Sequence, residues 1–171
     1  MSSGAPGEAP GESAAGGEDS GDREGEAPRA LVAGHGDFAA GVISAVAQIG
    51  GRTGAFVGMS NAGMGAAEIT EAMRTCLDES GIGVIFTDLP AGSMTIAARR
   101  LLRERPDLVV VTGANLATLL DFAFHAHLPA ALAAEHAAEK GRASLTIAGG
   151  LGAPRSPGAA GAAGGEGGGG G

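Results

Sequence analysis

The fold is decided by the stretch Ala30-Leu31-Val32-Ala33-Gly34-His35-Gly36-Asp37-Phe38. Small and apolar residues at 30–33 read as a buried strand. Gly34-His35-Gly36 interrupts it, and an amphipathic run follows over 38–49. In a strand–turn–helix unit the turn lies at the strand's carboxyl end, where open α/β folds place their sites. Glycines on both sides leave the His35 imidazole uncrowded and let the backbone approach a ligand. An anion held by Gly34, Gly36 and Asp37 would meet the unpaired N–H groups of the helix start. The competing reading is a tight turn that happens to carry a polar residue.

Outward from this stretch, strands and helices alternate. Residues 53–57 form a second short strand that ends in Gly58-Met59-Ser60-Asn61. Over 66–80 the apolar positions Ala66, Ile69, Met73, Cys76 and Leu77 fall on one helical face, with Glu68, Glu71, Arg74 and Asp78 on the other. Gly81 ends that helix. A third strand, apolar enough to be central, spans 83–87. The loop 88–92 leads to Ser93, a suitable N-cap for a helix over 94–105 that Pro106 stops. A β-branched run at 108–112 is the fourth strand, and a helix at 116–126 follows Gly113-Ala114-Asn115. Pro129 starts a last helix that Gly141 ends, and 143–147 is a possible fifth, C-terminal edge strand.

Strands separated by helices imply parallel pairing, with helices covering both faces of the sheet. The expected architecture is a doubly wound, flavodoxin-like three-layer sandwich with strand order 2-1-3-4. In that order the switch point lies between the first and third strands. His35 and Asp88, at the ends of those two strands, should therefore face each other although 53 positions separate them in the chain.

Composition bounds the rest. The chain has 171 residues, 33 of them Gly, one Cys, no Trp or Tyr, and a formal charge of −8. Residues 1–28 hold seven acids against Arg23, which leaves −6 there; in 152–171, Arg155 and Glu166 cancel. Both ends lack the large apolar residues needed to offset chain entropy, so both are expected to be disordered tails. The remaining 29–151 has the size of one domain. The start of the chain has no basic segment followed by an apolar core, and no apolar run has the ~20 residues of a membrane span. Cys76 has no partner for an intramolecular disulfide. Together these predict a cytoplasmic protein. The acidic balance and scarcity of aromatics argue against nucleic-acid binding.

A carboxylate bonded to one ring nitrogen of a histidine fixes the tautomer and presents the other nitrogen's lone pair outward. Helix starts after Gly36 and at Gly92-Ser93 would supply N–H groups to an incoming phosphoryl group. Phosphoryl transfer needs mainly positioning and charge stabilisation, so a small site suffices. A Ser-His-Asp hydrolase fits less well, because the nearest nucleophile elbow, Gly58-Met59-Ser60-Asn61-Ala62, lacks the second glycine.

Three motifs in register now resemble a known family. Leu31-Val-Ala-Gly-His-Gly36, Phe86-Thr-Asp-Leu-Pro-Ala-Gly-Ser93 and Val111-Thr-Gly-Ala-Asn-Leu-Ala-Thr-Leu119 are similar to the mannose/sorbose-type enzyme IIA domain of the bacterial phosphoenolpyruvate-dependent sugar phosphotransferase system. The resemblance runs over about 29–150 and takes in Glu139-Lys-Gly-Arg142. It implies that His35 is transiently phosphorylated by the phosphocarrier HPr and passes the group to an enzyme IIB. Asp88 would orient the imidazole, and Ser93 would stand at the following helix start near the site. It also implies a homodimer in which a C-terminal strand pairs with the partner's sheet, and peripheral association with a membrane permease. Ala117 and Met94 stand where the family often has proline, departures that touch helix starts rather than chemistry. No enzyme IIB domain follows, so sugar specificity would lie in other chains.

Other features carry less. Gly34-x-Gly36-x-x-Ala39 fits a relaxed dinucleotide fingerprint, but Gly58-Met59-Ser60 stands where the ribose-binding acid belongs. A non-catalytic regulatory or nucleotide-binding flavodoxin-like module is the alternative function. His125 and His127 point to different sides of a helix, and no acid or Cys is placed to complete a metal site with them and His136, so neither metal nor cofactor is expected. Arg99, Arg100, Arg103 and Arg105 read as a solvated helix face that could also meet an acidic partner.

Overall fold

The computed structural model describes residues 27–149 except Thr53; the two expected tails lie almost wholly outside the described residues. Strand and helix alternate from β1 (Ala30–Gly34) through α1 (Phe38–Gly50), β2 (Phe56–Ser60), α2 (Ala66–Ser80), β3 (Val84–Thr87) and α3 (Ser93–Leu101) to β4 (Val109–Thr112). Two helices, α4 (Leu116–Phe124) and α5 (Ala130–Ala143), complete the described chain. The four strands are parallel, in order β2-β1-β3-β4, as expected of the doubly wound flavodoxin-like class.

Alternation along the strands divides the core in two. Leu31, Ala33 and Ile85 face Ile69, Met73 and Leu77 of α2 and Met94, Ala97 and Leu101 of α3. Ala30, Val32, Val84 and Phe86 face α1, α4 and α5, where Val46, Leu119, Phe122 and Ala133 are buried. On this second face Phe56, Phe86 and Phe122 stack, the last two with ring centroids 5.1 Å apart at 75°, a favourable edge-to-face geometry.

Four expectations are corrected. The second strand lies at Phe56–Ser60, three residues beyond the expected 53–57, because Gly58 is not a stop: it pairs with Val32 inside the sheet. A Cβ there would stand 3.1 Å from Ile43 Cδ1, so glycine lets α1 cross close to the strand. The third helix is α-helical only to Leu101 and continues as turns toward Pro106. Gly141 does not end the last helix. It is buried within α5, where a Cβ would come 2.0 Å from Thr118 Oγ1 on α4. Finally, 143–147 is no strand. Ala143 closes α5, and Leu145 and Ile147 are 88% and 93% exposed. Among the described residues β2 and β4 are the edge strands, and no strand pairs with the outer side of the partly buried β4.

Candidate functional site

The register of the sheet brings the site together. Ala33 pairs with Thr87, and the amide of Asp88 donates to the Ala33 carbonyl at 3.3 Å, so the chain leaves β1 and β3 side by side. Beyond that point α1 and α3, which follow them, lie against opposite faces, the arrangement that opens a crevice between the two loops. His35 and Asp88 meet in it. One carboxylate oxygen, Asp88 Oδ2, accepts the His35 backbone N–H at 2.9 Å and lies 2.8 Å from His35 Nδ1. The carboxylate is 11% exposed and the imidazole 46%, so the acid is sheltered while the ring's far edge meets solvent.

Partial burial pushes the Asp88 carboxyl upward. The His35 backbone N–H, the hydrogen bond and charge of the imidazole, and the Leu89 amide outweigh it and hold the group below the ordinary carboxylate value. Asp88 is therefore ionised at neutral pH. With Nδ1 donating to that carboxylate, Nε2 carries the lone pair on the exposed edge.

Loop architecture follows from small residues. Gly34 lets the chain fold back, since a Cβ would strike Phe38 Cδ1 at 2.4 Å. Gly36 adopts φ +50°, the left-handed region that favours glycine. The Asp37 side chain makes no capping bond, although its carbonyl accepts the Gly41 amide at 2.8 Å. Gly92 precedes α3 with its Cα against the imidazole: a Cβ would lie 3.3 Å from His35 Cε1 and 3.9 Å from Nε2. The starts of α1 and α3 thus flank the ring, and first-turn amides have no partner within their own helices.

Ser93 differs from its expected role. It is the first residue of α3, with Gly92 in the cap position, and its side chain caps nothing. Its Oγ accepts a hydrogen bond from Asn61 Nδ2 at 3.2 Å, and the Asn61 amide donates to the Gly34 carbonyl at 3.3 Å. Asn61 thereby ties the loop after β2 to both sides of the crevice, a role that sequence reading missed. Thr87 and Thr95 were also missed. Thr95 Oγ1 donates to the Leu89 carbonyl at 2.6 Å and shares a 2.7 Å hydrogen bond with Thr87 Oγ1, which locks the loop that carries Asp88. Both threonines are buried, and a buried polar pair inside β3 and α3 is the signal their sequence left.

The model of the family described as PTS system fructose IIA component (EIIA-man) matches residues 29–140. The chain belongs to this family. No match is found among curated proteins. Among solved structures, the mannose/sorbose specific IIA subunit of the phosphotransferase system from Enterococcus faecalis is similar at 22% identity and a TM-score of 0.62, covering 74% of this chain and 98% of its own. The PTS IIA protein associated with the fucose utilization operon from Streptococcus pneumoniae is similar at 23% identity and a TM-score of 0.61, with 69% of this chain and 90% of its own covered. Likeness at this level extends to the fold. As a IIA-family domain the chain is a component type of the sugar phosphotransferase system. Among the described residues no helix is long and apolar enough to cross a membrane.

The remaining histidines do not join the crevice. His125 caps the carboxyl end of α4, His127 lies in the loop to α5, and His136 is on α5. An acid is placed among them after all, contrary to expectation. Asp121, one turn before His125, has its Oδ2 2.7 Å from His136 Nδ1 and 3.3 Å from His125 Nδ1. Cys76 is half-buried on α2, and burial pushes its thiol up against a smaller opposing hydrogen-bond effect from Ser80.

Proposed function

We propose that this IIA-family chain is a phosphocarrier of the sugar phosphotransferase system that takes a phosphoryl group from phospho-HPr on His35 and passes it to an enzyme IIB. The observation that carries the reading is the double acceptance by Asp88 Oδ2 of the His35 N–H groups, which fixes both the ring and its tautomer. The Nε2 lone pair attacks phosphorus, a P–N bond forms, and the bond from phosphorus to the donor breaks with its electron pair leaving on the donor. Asp88 offsets the positive charge that develops on the imidazole. Amides of Gly36 and Asp37 and of the Gly92–Ser93 helix start face the phosphoryl oxygens. Transfer onward to an enzyme IIB reverses these steps on a second acceptor.

Met64, Leu89 and Ile96 are 39%, 49% and 52% exposed and stand on the loops and helix that frame the crevice, an apolar rim for the two protein partners in turn. A homodimer would cover the half-exposed β4 edge together with Leu145 and Ile147. The reading places the carrier in the cytoplasm, at most peripherally associated with its permease. Incubation with phosphoenolpyruvate, enzyme I and a cognate HPr tests it: acid-labile, base-stable label on the wild-type chain is expected. An unlabelled chain would overturn the carrier reading in favour of a regulatory module.

A further inference from the structure

We propose a second site in this chain, for a borderline divalent cation of the Zn²⁺ type, made by Asp121, His125 and His136. One ligating atom from each of the three side chains lies within 4.8 Å of the other two. The His125 and His136 rings approach to 4.3 Å between centroids, inclined at 48°; His136 Nδ1 lies 2.7 Å from Asp121 Oδ2, and His125 Nδ1 lies 3.3 Å from the same oxygen and 2.8 Å from the Asp121 backbone carbonyl. One carboxylate beside two imidazoles is a two-histidine, one-acid donor set, which suits zinc and its first-row neighbours rather than magnesium or calcium.

The set is assembled by tertiary structure. Asp121 and His125 share one face of α4 at i,i+4, and α5 packs back against α4 to bring His136 over them. The loop between the helices is held from outside: Arg29 donates to the Leu128 carbonyl at 2.6 Å and to the His125 carbonyl at 3.4 Å, with its guanidinium over the Phe122 ring. The Arg29 guanidinium is thus engaged with loop carbonyls and the Phe122 ring. Asp121 is 12% exposed, His125 27% and His136 52%, so the acid is sheltered at the base and the imidazoles form an open mouth. Water would fill the further coordination positions.

The site is separate from the crevice. Arg29 immediately precedes β1 and His35 follows it, so the cluster and His35 lie at opposite ends of that strand, on the order of 17 Å apart at the usual rise. A cation there would join α4 to α5 as a clip and would take no part in phosphoryl chemistry.

The experiment uses the full chain with His35→Ala, which removes the exposed imidazole of the crevice. Zn²⁺ is titrated by calorimetry, and Co²⁺ by its visible d–d absorption. One equivalent is expected to bind, with the intense absorption of a four- or five-coordinate cobalt centre and a rise in melting temperature on adding Zn²⁺. His136→Ala and Asp121→Asn, added singly, should each weaken binding by about tenfold or more. His136→Gln is the control for packing, since it keeps the bulk at this half-exposed position and should lose binding with an unchanged metal-free melting temperature. Unaltered affinity in His136→Ala, or the spectrum of hexa-aqua cobalt throughout the titration, would overturn the site.

Discussion

Asp88 Oδ2 receives two hydrogen bonds from one residue, His35, through its main chain at 2.9 Å and its ring at 2.8 Å. The main-chain bond is what makes the ring bond directional. It anchors the carboxylate to the turn itself, so the imidazole cannot rotate without losing its acceptor. The Thr95–Leu89 bond secures the other end of the same loop. Two strand ends that are far apart in sequence are thereby fastened at one oxygen.

Removal of each partner should have a distinct effect. His35→Ala is expected to abolish labelling, since among the described residues no other imidazole stands at the switch point. Asp88→Asn should fold and retain His35, yet transfer more slowly by about 10² or more, because an amide holds the tautomer less firmly and cannot offset charge on the ring. Rapid-quench labelling from phospho-HPr measures both. Label in the His35→Ala chain at His125, His127 or His136 would remove His35 from the chemistry.

The depressed Asp88 carboxyl makes a prediction in acid. A group whose value is lower in the folded chain than in the unfolded one adds stability above the ordinary carboxyl value, about 4, and loses that contribution as pH falls through the lowered value. The stability difference between wild type and Asp88→Asn should shrink as pH falls below about 4. Urea titrations across that range read it out. A difference that grows in acid would contradict the assigned direction.

Gly92 offers a test of crowding without unfolding. Its φ of 162° is extended backbone that alanine adopts freely, so the fold should accept Gly92→Ala. The new methyl would stand 3.3 Å from His35 Cε1 and 3.9 Å from Nε2, beside the atom that carries the lone pair. Slower phosphoryl transfer is expected, with a melting temperature within a degree or two of wild type. An equal loss of stability and rate would mean that Gly92 acts through the fold.

Leu145 and Ile147 test assembly. Two large apolar side chains at 88% and 93% exposure beside a half-exposed edge strand favour burial against a second copy. The wild-type chain should run as a dimer in light scattering at tens of micromolar, and Leu145→Asp with Ile147→Asp should shift it to a monomer with α1–α5 helicity unchanged. A monomeric wild type would contradict this.

Much of the architecture was legible because local signals agreed with the global pattern. The α2 bounds follow from apolar spacing, with Glu68 accepting the Gly65 amide at 2.6 Å at one end and left-handed Gly81 at the other. Sheet order followed from the alternation of elements, and that order alone brings His35 to Asp88. The errors share one cause. Gly58 and Gly141 were read as breakers by local rules, whereas both are places where a helix comes too close for a side chain. The segment 143–147 was likewise read locally as a strand, and among the described residues no strand lies beside it. Asp121 escaped notice because its partners lie on two elements, although Asp-x-x-x-His at helical spacing was present in the sequence.

The Gly141 contact gives the strongest prediction for stability. Within α5 an alanine would ordinarily be favoured over glycine by roughly 1 kcal/mol through helix propensity. Here the added Cβ would meet Thr118 Oγ1 at 2.0 Å and Thr118 Cβ at 3.2 Å. Thr118 has little room to yield, since its hydroxyl is held by Asn115 Oδ1 at 3.0 Å and the Asn115 amide Nδ2 is bound in turn to the Gly141 carbonyl at 3.0 Å. Overpacking of this kind costs about 1–3 kcal/mol, so steric conflict should exceed the propensity gain. Gly141→Ala is expected to be destabilised in urea unfolding, and Thr118→Ala in the same chain should recover part of the loss by removing the hydroxyl. If Gly141→Ala were stabilised, the helix would be governed by propensity, and the close approach of α4 and α5 would not be real.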